Sequence, residues 1–433
     1  MLDPHIEALS PTKLRELQED RFRKIVRYAA DRVPLIRNRF KEKGLSADAV
    51  TSLDDAAKVP FTEKDDLRAT YPYGLLAVPL DEIVEFHASS GTTGKPTVVA
   101  YTKRDRETWT HLMARCYAAA GAEKGDVVHN CYGYGLFTGG LGFHYGAQAL
   151  GLATWPMSAG LTKRQLLFLK DMGPTILAST PSYALYLAEA ARAEGYDPRK
   201  DFHLRLGMFG AEPWSEEARA RIEDVFGLRA HDNYGMSELY GPGVAVECPE
   251  QDGLHVWADE FYPEVVDPET GEILGPGETG ELVFTMLTRE AMPLLRYRTR
   301  DLSALDVDVC ACGRAMPRIR RITGRSDDML IIGGVNVFPS QVEHVLMGVQ
   351  GVGEWYEIVV DRDILDTLHV RVEVEPSFYD SPEYDPTVLT QSIAEELRAV
   401  LTIFARVELL RPGTITRTEG KAKRVIDLRK PPA

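Results

Sequence analysis

The sequence predicts an α/β protein with a large N-terminal part, built of mainly parallel sheets plus a β-rich subdomain, and a small α+β part at its C-terminal end. Short apolar runs alternate with helical patterns through the first half of the chain. Strands are predicted at Val98–Tyr101, Val127–Cys131, Thr175–Ser179 and Leu204–Phe209, and a helix at Lys103–Ala120. Because such alternation is typical of strands joined by helical crossovers, it predicts a largely parallel sheet.

A different pattern follows between residues 261 and 301. The turn sequences DPETG (Asp267–Gly271) and GPGETG (Gly275–Gly280) interrupt apolar segments there, which is typical of antiparallel hairpins. The tail then returns to a mixed pattern, which predicts the small α+β part. Its strands are predicted at Glu357–Asp361 and Leu368–Val374, and its helices at Pro339–Met347 and Thr387–Leu401.

Composition argues against several classes of protein. The 433 residues carry a net charge of -15, which does not favour non-specific binding to nucleic acid. No apolar run reaches the length of about 18 residues that a membrane-spanning helix needs, and no secretion signal is visible at the N-terminus. Five cysteines in so long a chain do not form a disulfide framework, so we expect a cytoplasmic protein with no membrane partner.

The segment His87–Thr97, HASSGTTGKPT, has the groups that bind a polyphosphate. Its central residues are Ser90, Gly91, Thr92, Thr93, Gly94 and Lys95. Hydroxyls and exposed backbone N–H groups can donate to phosphate oxygens, and the lysine adds a positive charge. The spacing differs from a Walker A loop, which has four residues between its glycines and Ser or Thr after its lysine. A polar surface turn is the alternative interpretation.

The tract Tyr132–Gly151 combines seven glycines with five aromatic residues. This composition suits a backbone that approaches a flat, apolar ligand. A glycine-packed helix and loop in the core is an equally open alternative. If a ligand binds here, we expect its pocket to be lined by Tyr134, Phe137, Gly139, Gly140 and Phe143.

Further tracts follow in order along the chain. FGAEP (Phe209–Pro213) lies between a predicted strand and a predicted helix, where α/β proteins often contact ligands. The others are DNYGMSE (Asp232–Glu238), YRTRD (Tyr297–Asp301), a tract over Ile322–Glu343 that begins ITGRSDDML, and TRTEGKAKRVID (Thr416–Asp427). Taken singly, Glu238 would be interpreted as a solvated surface carboxylate. The last tract would be interpreted as a basic tail.

Together with the glycine-rich loop, these tracts resemble the motifs of the adenylate-forming superfamily in their expected order. The chain length and the segment FTEKDDLRATYP (Phe61–Pro72), in which Thr62 is predicted to cap a helix, resemble the phenylacetate–CoA ligase family of that superfamily. Arg300 stands where the superfamily motif has glycine, a departure that is common in the ligase family. The resemblance covers essentially the whole chain.

The resemblance implies roles for individual residues. Tyr234 would stack on adenine, Glu238 would hold Mg²⁺, Asp301 would hydrogen-bond the ribose, and Lys421 would be the catalytic lysine, with Thr93 acting in the phosphate loop. The remaining residues assigned to the nucleotide are Gly210, Ala211, Glu212, Pro213, Asp232, Asn233, Gly235, Met236 and Arg325.

The resemblance also implies the organisation and the activity. Asp327 would be the hinge between an adenylation domain, residues 1–326, and a mobile lid, residues 327–433. The enzyme would join phenylacetate or a related aryl acid to coenzyme A with ATP, releasing AMP and pyrophosphate, and relatives suggest a homodimer. Two alternatives stay open: an adenylase that passes its acyl group to a carrier protein or an amine, and a catalytically silent nucleotide-binding regulator.

Four residues could hold a structural zinc ion. Cys248 and His255 lie in ECPEQDGLHVW, and Cys310 and Cys312 lie in CACGR. Three cysteines and one histidine form a set suited to tetrahedral zinc. The resemblance to the ligase family also implies such a site, since some members have one. Because neither spacing is that of a C-x₂-C pair, four reduced residues without a common site are the alternative.

Overall fold

The computed structural model describes residues 1–89, 96–332, 335–362, 366–417, 422 and 424–429. The helices are α1 Pro4–Glu7, α2 Pro11–Arg32, α3 Pro34–Glu42, α4 Lys64–Ala69, α5 Lys103–Ala120, α6 Thr138–Ala149, α7 Thr162–Asp171, α8 Pro181–Ala193, α9 Pro198–Asp201, α10 Glu216–Phe226, α11 Pro339–Gly348, α12 Pro376–Tyr379 and α13 Pro386–Leu401. Short 3₁₀ helices cover Ala47–Ala49, Leu53–Lys58, Leu80–Glu82 and Ser237–Leu239.

The strands are β1 Ile83–Ala88, β2 Val98–Thr102, β3 Val127–Asn130, β4 Ala153–Trp155, β5 Ile176–Ser179, β6 Leu206–Gly210, β7 Arg229–Met236, β8 Gly241–Glu247, β9 Leu254–Val256, β10 Phe261–Val266, β11 Gly280–Met286, β12 Tyr297–Ser303, β13 Leu305–Asp306, β14 Arg318–Ile319, β15 Gly324–Arg325, β16 Leu330–Ile332, β17 Val335–Val337, β18 Val352–Arg362, β19 Asp366–Val374, β20 Ala405–Leu410 and β21 Val425–Asp427. In the described part of the chain, no helix is both long and apolar enough to cross a membrane.

Helix α5 shows how local sequence fixes an element. Thr102 accepts a hydrogen bond from the N–H of Asp105 at 3.1 Å, and the Asp105 carboxylate accepts one from the N–H of Thr102 at 3.0 Å. This reciprocal pair satisfies two backbone donors at the helix start. The helix ends at Gly121, whose φ of 93° is the left-handed conformation that glycine adopts most readily. The predicted bounds of this helix are therefore confirmed.

The largest sheet changes from parallel to antiparallel at β7. Its strand order is β13-β14-β9-β8-β7-β6-β5-β3-β4. From β4 to β7 every pair is parallel, with Met208 opposite His231 in the register of β6 and β7. From β7 onward the pairs are antiparallel. Three of the four predicted strands, now β3, β5 and β6, lie in the parallel half of this sheet. The fourth, β2, is confirmed as a strand, but it pairs antiparallel with β1 in a separate two-stranded sheet. The antiparallel half of the large sheet was not predicted.

A second sheet is antiparallel throughout, in the order β10-β11-β12-β15. It confirms the β-rich region expected after residue 261. The two turn sequences do not form two separate hairpins, however. Both lie in the single connection between β10 and β11, where Val266 forms an isolated bridge with Ile273.

The C-terminal part has its own sheet and its own core. Its strands lie in the order β20-β19-β18-β21, with the central pair antiparallel and the two outer pairs parallel. Helices α11 and α13 cover this sheet, and Ile358, Val370 and Ile393 are fully buried between them. The predicted small α+β part is therefore confirmed.

The segment FTEKDDLRATYP differs from its prediction at one end. The helix begins at Lys64 rather than directly after Thr62, and the N–H of Glu63 donates to Asp66 at 2.7 Å. Thr62 cannot cap the helix because its backbone bridges Tyr297 of β12 and its hydroxyl donates to the carbonyl of Leu295 at 2.8 Å.

Candidate active site

The predicted nucleotide tracts meet at the carboxyl end of the parallel strands. Gly210, the last residue of β6, lies opposite Asn233 of β7. Ala211 follows with a φ of 72°, so the chain turns sharply as it leaves the sheet. In open α/β sheets this edge is where ligands bind, next to the strand at which the sheet changes direction.

Three predicted residues form one hydrogen-bonded chain around Asp301. The hydroxyl of Tyr234 donates to one carboxylate oxygen at 2.7 Å, and Nη1 of Arg325 donates to the other at 3.0 Å. Arg325 also holds both oxygens of Asp327, at 2.9 and 3.0 Å. Asp301 is only 8% exposed, so its carboxylate is held in one orientation beside the end of β7.

The charges in this chain are set by their neighbours. Burial, followed by the negative charge of Asp301, raises the pKa of Tyr234, so its phenol stays a hydrogen-bond donor at neutral pH. Burial would lower the pKa of Arg325, but the hydrogen bond to Asp327 and the charge of Asp301 raise it overall. The site therefore presents a fixed carboxylate beside a fixed guanidinium.

Glu238 lies beside the base of the glycine-rich loop, next to Thr97. Its carboxylate is 3.4 Å from the hydroxyl of Thr97, and the residue is 5% exposed. Ser89 and Thr97 close the base of the loop through a backbone hydrogen bond of 3.0 Å and a short contact between their hydroxyls. The predicted phosphate-binding residues of the loop lie outside the described residues, as does Lys421; they are Ser90, Gly91, Thr92, Thr93, Gly94 and Lys95.

Lys64 is a site residue that the sequence did not indicate. Its Nζ lies 3.6 Å from the Glu238 carboxylate, at the first position of α4. Arg300 of β12 links that strand to the start of α4. Its guanidinium donates to the carboxylate of Glu63, the residue before the helix, at 2.8 Å and lies 3.7 Å from the carboxylate of Glu281. Arg300 has a φ of 70°, a conformation that favours glycine. The segment FTEKDDL was the available signal, but its lysine resembles a surface charge.

The other FGAEP and DNYGMSE residues have structural contacts of their own. Glu212 accepts hydrogen bonds from the N–H of Ser182 at 2.8 Å and of Ala422 at 3.3 Å. The oxygen of the Asn233 side chain accepts from the N–H of Gly243 at 3.2 Å. Burial and the nearby Glu247 carboxylate raise the pKa of Asp232.

Three positions of these tracts have backbone or cavity roles. Gly235 and Met236 pair with β8, opposite Pro242 and Gly241. Pro213 lines a cavity of about 310 Å³ between the large and the small parts of the chain.

The aromatic and glycine tract divides between the core and the surface. Phe143 is 2% exposed and stacks on Tyr132 with ring centroids 4.5 Å apart. A Cβ on Gly146 would lie 2.4 Å from the Cβ of Met113, and one on Gly140 would lie 2.6 Å from the carbonyl of Gly133. Close packing of α6 on α5 and on its preceding loop thus explains these glycines.

The remaining pocket candidates lie nearer to the glycine-rich loop. The carbonyl of Leu136 accepts a hydrogen bond from the N–H of Ala88 at 2.9 Å, and the adjacent Phe137 is 49% exposed. The hydroxyl of Tyr134 accepts from the amide of Asn130 at 2.8 Å. A Cβ on Gly139 would lie 3.5 Å from Cδ1 of Tyr132, which is an ordinary contact distance. The loop before α6 therefore runs beside the strand that enters the glycine-rich loop.

The predicted cysteine and histidine set comes together as one cluster. The ligand atoms of Cys248, His255, Cys310 and Cys312 all lie within 4.8 Å of one another. The sulfur atoms of Cys248 and Cys310 are 3.8 Å apart, and the sulfur of Cys312 is 3.5 Å from Nε2 of His255. Tetrahedral zinc with normal bond lengths separates two sulfurs by about 3.8 Å and a sulfur from a nitrogen by about 3.6 Å. The donor set therefore fits zinc in both type and spacing.

The surroundings favour metal-binding protonation states at two residues of the cluster, because the pKa values of His255 and Cys312 are lowered, whereas burial raises the pKa of the Cys248 thiol. Burial lowers the pKa of His255 to about 4, so its ring is neutral at pH 7, as a ligand must be. Arg314 donates to the sulfur of Cys312 at 3.5 Å and is itself held by the buried carboxylate of Glu7 at 2.7 Å. The other two cysteines, Cys116 and Cys131, are buried in the core.

Comparison with known proteins gives consistent matches. Residues 12–286 match the AMP-binding enzyme family, and residues 334–429 match the AMP-binding enzyme C-terminal domain. Phenylacetate-coenzyme A ligase of Pseudomonas putida is 50% identical over 99% of this chain and 97% of its own length.

Solved structures of 2-hydroxyisobutyryl-CoA ligase match as well. With 2-HIB-AMP in the postadenylation state, its TM-score is 0.93 at 32% identity, over 98% of this chain and 92% of that one. With 2-HIB-AMP and CoA in the thioesterification state, its TM-score is 0.73 at 32% identity, over 98% and 91%. The chain therefore superposes better on the postadenylation state of that enzyme than on its thioesterification state.

Proposed function

This chain belongs to the AMP-binding enzyme family and, within it, to the phenylacetate-coenzyme A ligases, and from that membership we propose that it joins phenylacetate to coenzyme A in two steps. First, a carboxylate oxygen of the acid attacks the α-phosphorus of ATP, the bond to the β-phosphate breaks, and pyrophosphate leaves. Second, the sulfur of coenzyme A attacks the carbonyl carbon of the acyl-adenylate, AMP leaves, and the thiol proton passes to solvent. The match over nearly the whole chain carries this proposal.

The first step joins two anions, so positive charge must offset their repulsion. We assign Lys421 to the bridge between the acid and the α-phosphate, and the loop Ser90–Lys95, including Thr93, to the departing phosphates. Asp301 is assigned to the ribose hydroxyls, work that suits an ionised carboxylate, and Tyr234 to the face of the adenine. The fixed orientation of Asp301 between Tyr234 and Arg325 supports this assignment.

Glu238 is the residue that would hold Mg²⁺. Its buried carboxylate and its position at the base of the proposed phosphate-binding loop would suit a hard cation. When bound, the ion supplies positive charge to the phosphates. Lys64, 3.6 Å from the same carboxylate, would add a second positive charge on that side.

We assign the aryl ring of the acid to the loop before α6, at Tyr134, Phe137 and Gly139. Exposed aromatic surface beside the phosphate loop suits a flat ring whose carboxylate must reach the α-phosphate. Coenzyme A is the acyl acceptor in this proposal. The relatives do not favour the alternative acceptors, a carrier protein or an amine.

The cluster of Cys248, His255, Cys310 and Cys312 is proposed to hold a structural zinc ion. All four positions of a tetrahedral site are then filled by protein atoms, which leaves no place for a reacting water. We further propose a homodimer in the cytoplasm, where the reducing conditions suit a chain whose cysteines are all free thiols.

Release of AMP from ATP tests the reaction and its substrate together. We expect coenzyme A-dependent AMP release with phenylacetate to exceed that with benzoate, indole-3-acetate and a medium-chain fatty acid. The reason is that the proposed pocket favours one flat ring at a fixed distance from the carboxylate. Adenylation without consumption of coenzyme A would contradict the proposed acceptor, and no exchange of pyrophosphate with any acid would contradict the reaction.

Asp301→Asn is expected to raise the KM for ATP by about 10- to 100-fold, because a hydrogen bond to a charged acceptor contributes about 1.5–3 kcal/mol. The amide keeps the shape of the side chain but removes the charge that also holds Arg325. Initial rates at varied ATP measure the effect. Tyr234→Phe is the matched control, since it removes only the hydroxyl contact with Asp301 and should change KM less. Equal effects would show that Asp301 does not bind the ribose.

A further inference from the structure

The small C-terminal part packs on two helices of the large part, α8 and α10. On α10, Arg221 donates to the carbonyl of Met347 at 2.8 Å and to that of Val352 at 3.3 Å. His344 of α11 lies 3.2 Å from the carboxylate of Glu217. These contacts hold α11 and the start of β18 beside α10. Helix α8 binds a different segment of the small part, near Arg417.

Glu189 of α8 binds two separate elements of the small part. One carboxylate oxygen accepts from Nη2 of Arg417 at 2.8 Å, and the other accepts from the indole N–H of Trp355 at 3.0 Å. Tyr186, almost one turn earlier on α8, makes an edge contact with Trp355, with ring centroids 5.9 Å apart. The guanidinium of Arg417 lies 4.4 Å above the Trp355 ring. One large-domain carboxylate thus joins β18 to the segment that follows β20.

Arg417 is already ordered within the small part. Both oxygens of Glu373 accept hydrogen bonds from Arg417, at 2.8 and 2.9 Å. Glu373 also accepts from the N–H groups of Gly413 at 2.9 Å and Ile415 at 2.6 Å, and its side chain is 3% exposed. Loss of Glu189 would therefore leave Arg417 paired and the small part folded, so that only the docking would weaken.

The docked segment flanks the proposed catalytic lysine. Arg417 precedes Lys421 by four residues, and the N–H of Ala422, the next residue, donates to Glu212 at 3.3 Å. The chain on both sides of Lys421 is thus bound to carboxylates of the large part. The comparison with the solved relative supports a docked position that belongs to the first step. The chain superposes better on the postadenylation state than on the thioesterification state of that relative.

We propose that Glu189 is a positioning residue for the first step: by binding Arg417 and Trp355 together, it holds the small domain where adenylate formation needs it. This inference rests on the proposed two-step reaction. In that reaction we assign Glu189 no contact with the substrates or the nucleotide. The contact is partly exposed, with 35% of the Glu189 side chain open to solvent, so it can break when the small domain moves for the second step.

Half-reactions measured separately test this role. Glu189→Ala should slow phenylacetate-dependent exchange of pyrophosphate into ATP by about 10-fold or more. Thioester formation from supplied phenylacetyl-adenylate and coenzyme A should be unchanged or faster. Glu189→Gln should give a smaller loss, since the amide oxygen can still accept from Trp355. Glu194→Gln is the matched control. Glu194 directly follows the same helix but pairs with Lys163 of the large part at 2.8 Å, so the rates of both half-reactions should stay unchanged.

A distance measurement separates this proposal from the chemistry. Spin labels at Leu167→Cys on α7 and Val388→Cys on α13, both exposed positions, report the arrangement of the two parts. We expect one main distance in the parent and a second population in Glu189→Ala. An unchanged distance, or equal slowing of both half-reactions, would overturn the positioning role. If no acid supports exchange in the parent but the distance still shifts, the contact stands and the proposed reaction fails.

Discussion

Lys421→Ala is expected to abolish formation of the acyl-adenylate while sparing the second half of the reaction. The lysine is proposed to neutralise a carboxylate and an α-phosphate that must approach each other, and removal of one preorganised charge from such a site costs about 10²–10³ in rate. The second step joins a thiol to an adenylate that already exists, so it does not need this charge in the same place. Exchange of pyrophosphate into ATP reports the first step, and thioester formation from supplied phenylacetyl-adenylate reports the second.

Lys423→Ala provides the control for this experiment. It removes the same charge two residues further along the same segment, and we expect less than a few-fold change in either half. The contacts of Arg417 and Ala422 with the large domain would persist in both variants, so the comparison isolates the ammonium group. Equal slowing of both halves by Lys421→Ala would contradict a scheme in which the small domain adopts two arrangements.

Cys310→Ser is expected to reduce bound zinc from about one equivalent to less than half and to lower the midpoint of thermal unfolding. Serine is a poor ligand for zinc, and binding of a structural zinc ion contributes directly to folding free energy, by about 10–16 kcal/mol in small zinc domains. The cluster joins the end of β8 and strand β9 to the turn between β13 and β14, so loss of the ion would loosen one edge of the large sheet. Metal analysis of protein purified without added zinc measures the first effect.

Cys131→Ser separates loss of metal from loss of a buried thiol. Cys131 is buried outside the cluster, with its sulfur 3.5 Å from the amide oxygen of Gln165. This variant should keep its zinc even if its unfolding midpoint falls. Less than half an equivalent in the parent, unchanged in Cys310→Ser, would contradict a zinc site.

Local signals predicted much of the fold. The helix Lys103–Ala120 has a capping residue at one end and a glycine at the other, and the buried strands are short apolar runs between helical patterns. Both signals act within a few residues, so they can be read from the sequence. The antiparallel half of the large sheet has weaker signals, because its short strands depend on pairing with β7 and not on their own patterns.

Candidate site residues could be predicted where they stand in an unusual sequence, and not where they depend on distant contacts. The glycine-rich loop, DNYGMSE and the three cysteines with their histidine stand out as sequences. Glu189 and Lys64 do not, because each resembles a charged residue on a helix surface. Glu189 meets Arg417 across 228 residues, and no local pattern encodes such a contact.

The prediction at Thr62 failed for the same reason. A threonine before acidic residues is a good helix cap in isolation. Here, however, the backbone of Thr62 pairs with Tyr297 of β12, and its hydroxyl donates to the carbonyl of Leu295. Packing also affects Phe143, whose ring contacts Tyr132 and Tyr117 in the core, while its place in the acid pocket stays a prediction. Tertiary packing thus decides the contacts of both side chains.

The left-handed backbone of Arg300 has a mechanical consequence. A glycine there would relieve backbone strain of about 1–3 kcal/mol. It would also remove the contacts of the Arg300 guanidinium with the carboxylates of Glu63 and Glu281. With arginine, one guanidinium links β12, which carries Asp301, to the residue before α4, which carries Lys64. The proposed movement of the small C-terminal part between the two steps would then leave Asp301 and Lys64 in their places.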